Sequence, residues 1–269
     1  MEYIIENLND IDNLTFETGV ASHLIYRTEN FEYNLLIYYK KQHDNLVVLS
    51  NGAVNYEKKS PPIFMRSKWA RDIEGSLIYI DDATIHGTNL NLGWGQGNTN
   101  EFVLRVYSEI IKKISCKMEI KSNKVCYYGS SAGGFMSILM STMHTNSFSI
   151  VNNPQTDVKS YHEGHSIPLL ELSYGTVENA YENFRERVNL VTAFQYYNYV
   201  PKIYYIQNQF SHHDLKFHVN PFVKSMKENN LEIEKVFFLN YFDKEKGHTP
   251  LDKEPAVRSL NLLLVRGLF

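Results

Sequence analysis

At 269 residues, with 43% apolar and 21% charged side chains, the chain can fold as one α/β domain of ordinary size or as two small ones. A formal net charge of -3 argues against nucleic acid as the main partner. No apolar run reaches the roughly 20 residues that span a bilayer, and the acidic N-terminus MEYIIENLNDIDN lacks the basic-then-apolar order of a signal peptide, so no membrane span and a cytoplasmic location are expected.

In chain order, short apolar runs predict strands at 22–27, 33–39, 45–50 and 77–80, then at 125–128, 147–151, 203–207 and 235–239. The later runs are apolar throughout, as strands of a parallel sheet covered by helices must be. Between them Phe102, Val103, Val106, Tyr107, Ile110, Ile111 and Ile114 recur at helical spacing and form one apolar face. Asn220-Pro221 reads as a helix start, with Phe222, Val223 and Met226 facing inward. A closing helix at about 254–265 carries Val257, Leu260, Leu263 and Leu264, with Gly267 just beyond it. Early strands without intervening helices, followed by strand-helix alternation, predict an antiparallel start to a mostly parallel sheet. Residues 154–200 form a longer excursion whose mixed amphipathic pattern suits a cap, giving a single domain over 1–269 with that insertion. Cys126 falls in a predicted buried strand, and with Cys116 it makes neither a disulfide framework nor a paired metal spacing.

The strand at 125–128 runs into Gly129-Ser130-Ser131-Ala132-Gly133, which fits G-x-S-x-G and continues into an apolar helix. A nucleophile elbow needs that context, because the helix passes close to the preceding strand while the serine Oγ projects into a cleft. Ser131 is therefore the candidate nucleophile, and the backbone N–H of Ala132 one candidate oxyanion donor; a tight strand-helix turn is the alternative. A serine needs a base, and the base needs an orienting acid. His248 follows the last predicted strand and precedes the closing helix, the place for the base. Asp214 is the acidic residue in the loop after the penultimate strand, where the acid belongs in the chain order Ser, Asp, His; it could equally cap the next helix. Asp243 and Glu245 sit in a charged turn and read as solvated. The turn Asn51-Gly52-Ala53 after the third strand offers the second oxyanion donor, Ala53 ahead of Gly52, unless it is an ordinary β-turn. His162 and His165 are three apart, not the four of a metalloprotease helix, so no metal is expected.

The segments SNGAV, PPIFMRSKW, DDATIHGTNLNLGWGQG, YYGSSAGGF, NNPQTD, IYYIQNQFSHHD and GHTP, spread over roughly residues 45–250, resemble bacterial α/β-hydrolase-fold proteins of capsule and surface-glycan biosynthesis. They are similar to sialic acid O-acetyltransferases and, more remotely, to the acetyltransferase component of accessory secretion systems. The resemblance implies an α/β-hydrolase fold, with a mostly parallel sheet, antiparallel N-terminal strands, helices on both faces and a small helical cap. It implies acyl transfer from Ser131 to a sugar hydroxyl, a carbohydrate or glycan acceptor, and no resident cofactor, with acetyl-CoA open as the acyl donor. It also brings Arg66, Trp69, Asp81, Trp94 and Gln155 towards the cleft as candidate substrate contacts, with packing and turn-capping as their structural alternatives. The competing functions are a carboxylesterase or thioesterase, and a non-catalytic binding subunit of a glycan or secretion assembly. The complete Ser, Asp, His set speaks against the last.

Overall fold

The computed structural model describes residues 1–55 and 60–266; Gly267 lies outside the described residues. Its strands are β1 (Glu2–Ile5), β2 (Ala21–Arg27), β3 (Glu32–Tyr38), β4 (Leu46–Leu49), β5 (Ser76–Ile80), β6 (Val125–Ser130), β7 (Phe148–Asn152), β8 (Lys202–Asn208) and β9 (Val236–Tyr241). They form one sheet in the order β1-β2-β3-β5-β4-β6-β7-β8-β9. The β2–β3 and β3–β5 pairs are antiparallel and the other pairs parallel. The predicted antiparallel start is therefore present. β1 was not legible: it has four residues, of which only Ile5 is buried, so it carries no alternation to read.

Alternate residues of the central strands feed two separate cores, which is why these strands are apolar at every position. Leu46, Val48, Ile78, Val125 and Tyr127 face one side, under α1 (Val103–Lys117) and α2 (Ala132–Met143). Val47, Leu49, Leu77, Cys126 and Tyr128 face the other, where Val257, Leu260, Leu263 and Leu264 of the closing helix cover them.

The 154–200 segment folds as α3 (Glu163–Tyr174), α4 (Val177–Asn183), α5 (Arg185–Val188) and α6 (Leu190–Tyr197). Leu169, Leu170, Tyr174, Ala180, Leu190 and Phe194 join the main core, so these helices are built into the domain. Their two ends are tied together: Asn189 Nδ2 donates to Asp157 Oδ2 at 2.7 Å, and the Val158 N–H to the Val188 carbonyl at 2.9 Å.

Asn220-Pro221 does open a helix, but Asn220 is not its cap, because the chain before it is already coiled. A short turn α7 (His212–Asp214) leads through a wide π turn over Leu215–Val219 into α8 (Asn220–Glu228), and Asn220 is already helical at φ -64, ψ -45. Proline lacks the N–H that a continuous α-helix would use, and the wider turn before it absorbs that loss. The chain ends in α9 (Lys253–Arg266). With helices on both faces and a serine at the turn leaving β6, this topology is that of an α/β-hydrolase.

Candidate active site

The turn from β6 to α2 is closed by glycines where no side chain fits. A Cβ on Gly129 would stand 2.1 Å from the Gly133 carbonyl oxygen, and one on Gly133 would stand 2.6 Å from the Asn51 carbonyl oxygen. Strand and helix thus approach until their backbones touch. Ser131, between them, adopts φ 54, ψ -124, a conformation costly for a residue with a Cβ and held by the surrounding packing. It is only partly buried, and it caps the N-terminus of α2, where the helix dipole favours negative charge.

The structure brings Ser131, His248 and Asp214 together from three separate segments that follow β6, β9 and β8. His248 Nε2 lies 2.9 Å from Ser131 Oγ, and His248 Nδ1 lies 2.8 Å from both carboxylate oxygens of Asp214. Nδ1 donates to the carboxylate, so Nε2 keeps its lone pair and accepts the serine proton. Asp214 is buried and also accepts from the Ser211 hydroxyl at 2.5 Å. Burial pushes its carboxyl up, but the His248 hydrogen bond and charge and the Ser211 hydroxyl outweigh it and hold the group below the usual value. Asp243 is occupied in its own turn, where one carboxylate oxygen accepts from the backbone N–H groups of Glu245 and Lys246. Ser130 is bound elsewhere, its Oγ 2.6 Å from Arg66 Nη2.

The NNPQ segment after β7 ties these loops to one another. Asn152 Oδ1 accepts from the Leu251 N–H at 2.7 Å, and Asn153 Nδ2 donates to the His248 carbonyl at 3.1 Å. Gln155 is fully buried; its Nε2 is 3.0 Å from Ser131 Oγ, and its Oε1 is 2.5 Å from Trp94 Nε1. Trp94, also fully buried, has φ 48 in a glycine-flanked turn. Gln155 therefore meets Ser131, and Trp94 meets Gln155, instead of lining open space. Arg66 lies behind the elbow with its guanidinium 5.4 Å from the Trp69 ring and 5.7 Å from that of Tyr128, and its Nη1 is buried without a partner.

Ala132 opens α2 directly after Ser131. Beside the elbow, Gly52 is half-buried, with its N–H on the Met65 sulfur at 3.3 Å, and Ala53 is exposed. That loop is braced by Asn51, which donates to the Ile63 carbonyl at 2.6 Å and to Asp81 at 3.1 Å, and accepts from the Met65 N–H at 3.0 Å. Asp81 also holds His86 at 2.6 Å. Burial lowers the His86 pKa, but Asp81's hydrogen bond and charge outweigh it, so the imidazole titrates above its ordinary value.

Sequence reasoning missed Tyr161, whose ring lies 6.2 Å from His248 and also meets Trp94, His162, His165, His213 and His218. A lone tyrosine between two motifs carries no signal of such a position. Ser211 was missed too, although a hydroxyl three residues before an acid on a helical turn is a readable hydrogen-bond spacing. Among the described residues His213, Asp214 and His218 offer ligand atoms within 4.8 Å of one another. The carboxylate is already shared by His248 and Ser211, and His218 Nδ1 faces the Thr156 N–H at 3.4 Å, which leaves the proton on Nε2 and makes His218 a poor metal ligand.

A model of the prolyl oligopeptidase family matches residues 92–248, more than half of the chain and the stretch from the GWG turn to the histidine. No curated protein is significantly similar in sequence. Solved structures share the fold at low identity. A mutant of the capsule O-acetyltransferase of Neisseria meningitidis serogroup A, in complex with CoA, is 12% identical with a TM-score of 0.65, over 93% of this chain and 97% of that one. Dipeptidyl peptidase 4 of Porphyromonas gingivalis is 15% identical with a TM-score of 0.63, over 94% of this chain but 36% of that one. The fluorophosphonate-binding serine hydrolase FphF of Staphylococcus aureus is 10% identical with a TM-score of 0.60, over 92% of this chain and 99% of that one. The chain belongs to the prolyl oligopeptidase family and is a serine enzyme of the α/β-hydrolase type.

Proposed function

We propose that the protein transfers an acyl group, acetyl-CoA being the candidate donor, to a hydroxyl of a carbohydrate or surface glycan through Ser131, His248 and Asp214. The observation that carries the catalytic part is the unbroken hydrogen-bonded line from a strained, partly exposed serine through His248 to a buried carboxylate. In the first half-reaction His248 Nε2 takes the Ser131 proton as Oγ attacks the donor carbonyl. It then gives that proton to the coenzyme A sulfur as the acyl carbon–sulfur bond breaks, leaving acyl-Ser131, free coenzyme A and a neutral imidazole. Backbone N–H groups of Ala132 and of the Gly52-Ala53 turn receive the oxyanion, Gly52 by exchanging its weak sulfur acceptor for a charged oxygen. In the second half-reaction the acceptor hydroxyl gives its proton to His248 as its oxygen attacks the acyl carbon, and His248 returns that proton to Ser131 Oγ as the acyl–Oγ bond breaks.

The glycan acceptor and CoA donor are supported by the likeness to the meningococcal enzyme and by the CoA complex of that protein. The 154–200 helices would roof the acceptor site, since Tyr161 from that segment stands against His248. The free thiols of Cys116 and Cys126 suit a reducing cytoplasm. Hydrolysis of peptides or simple esters is the second reading, favoured by the family match.

The test begins with intact mass after fluorophosphonate treatment of wild type, Ser131→Ala and His248→Ala. One adduct on wild type, absent from both variants, is expected. Acetyl-CoA consumption stimulated by added glycan, with no turnover of Xaa-Pro anilides, would then establish transfer. An unlabelled but folded wild type would overturn the nucleophile, and anilide turnover without CoA use would favour the peptidase reading.

A further inference from the structure

The amide of Gln155 touches the same oxygen as the base, and its orientation is fixed by chemistry. Indole Nε1–H of Trp94 is a donor only, so the Gln155 atom 2.5 Å from it must be the carbonyl oxygen. The other amide atom, 3.0 Å from Ser131 Oγ, is then the nitrogen, a donor. Ser131 Oγ gives its proton to His248 and accepts one from Gln155. The amide cannot drift, because its backbone N–H is bonded to the Ser131 carbonyl at 3.2 Å, and the preceding Pro154 packs where a Cβ on Gly134 would come within 2.6 Å. Trp94 is fixed in turn by its positive φ and by the following Gly95, whose N–H donates to buried Asp82 at 3.1 Å.

We propose that Gln155 is a catalytic residue for breakdown of the acyl-enzyme, with Trp94 as the residue that positions it; this rests on Ser131 being the nucleophile. When acceptor or water attacks, its proton passes to His248 Nε2 and a tetrahedral intermediate forms. The bond between the acyl carbon and Oγ then breaks, its electron pair goes to Oγ, and His248 returns a proton to that oxygen. The alkyl oxygen of an ester is a weak hydrogen-bond acceptor, whereas an oxygen acquiring an electron pair is a strong one. The Gln155 N–H bond therefore strengthens on the way to the deacylation transition state, which is the condition for accelerating a step. In acylation the gain is smaller, because the free hydroxyl already accepts the bond well in the ground state.

The experiment follows p-nitrophenyl acetate with wild type, Gln155→Leu, the isosteric Gln155→Glu, which can accept from Trp94 but cannot donate to Oγ when ionised, and Trp94→Phe. Phenolate release reads acylation, and the decay of acetyl-enzyme, followed by quenched intact mass, reads deacylation. Fluorophosphonate labelling and thermal melts verify folded, competent serine in each variant. Deacylation is expected to slow roughly tenfold to hundredfold in both Gln155 variants, at or below the loss of one oxyanion donor, and less in Trp94→Phe. Acylation should change only a few-fold, so acetylated Ser131 accumulates. Equal slowing of both steps, or unchanged deacylation in folded Gln155→Glu, would overturn the proposal and leave Gln155 a packing residue. Failure of wild type to form an acetyl adduct, or turnover by Ser131→Ala, would instead overturn the nucleophile itself.

Discussion

At Ser131 the backbone accepts strain to aim one oxygen, and the residues around it divide between those that make the oxygen reactive and those that hold it still. On the proposed mechanism Asp214 belongs to the first group. Asp214→Asn keeps the volume but presents an amide to His248 Nδ1, which favours the wrong tautomer, and kcat should fall on the order of 10³–10⁴-fold with little change in KM. Steady-state kinetics on p-nitrophenyl acetate would check this; a loss under tenfold would leave Asp214 a helix residue and not the acid. The convergence of Ser131, Asp214 and His248 was legible because it follows from chain order and from which strand each follows. The contacts of Gln155, Trp94 and Tyr161 were not, because sequence spacing does not say which way a side chain in a loop turns. The relative standing of Gly52 and Ala53 was hidden for the same reason: it depends on Met65, 13 residues from Gly52 along the chain.

Elements were easier to read than contacts where burial was two-sided. β4, β5 and β6 are buried along their whole length, and their apolar runs announced them. β1, with one buried residue, and the wide turn ahead of Pro221 had no such pattern. The elbow lies between these cases, its glycines visible but their steric necessity apparent only in three dimensions. Gly129→Ala would force a Cβ to 2.1 Å from the Gly133 carbonyl oxygen, and the adjustment should cost about 3 kcal/mol. Gly164→Ala is the matching control: its Cβ would meet nothing within 4 Å near the start of α3, and a gain of about 0.5 kcal/mol is expected. Urea unfolding of both variants measures the contrast, and equal stabilities would show that the elbow relaxes freely.

Over the whole molecule, buried histidines set the response to acid. Burial lowers the pKa of His144 to about 4 and that of His218 to about 3. In the unfolded chain both would titrate near 6.5, so the unfolded state binds more protons below that pH. Stability should fall as pH drops below about 6.5 and continue falling until each folded-state value is passed. Asp214, held below its ordinary value, adds loss in the same direction at lower pH, while His86, held above its own, contributes stability below about 6.5 that is lost as pH rises. His144 lies away from the serine, bonded to Tyr127 and Ser122. His144→Gln should therefore lose less stability than wild type between pH 7 and pH 5 in urea titrations, and an identical loss would remove His144 as a source. The linear order of the relay has a consequence for a chain still being made. Ser131 and His248 are 117 residues apart, so at ordinary translation speeds the serine is polymerised on the order of ten seconds before its base. Throughout that interval His248 is not there to take the proton of Ser131, and on the proposed mechanism a growing or prematurely ended chain should be inert towards acyl donors.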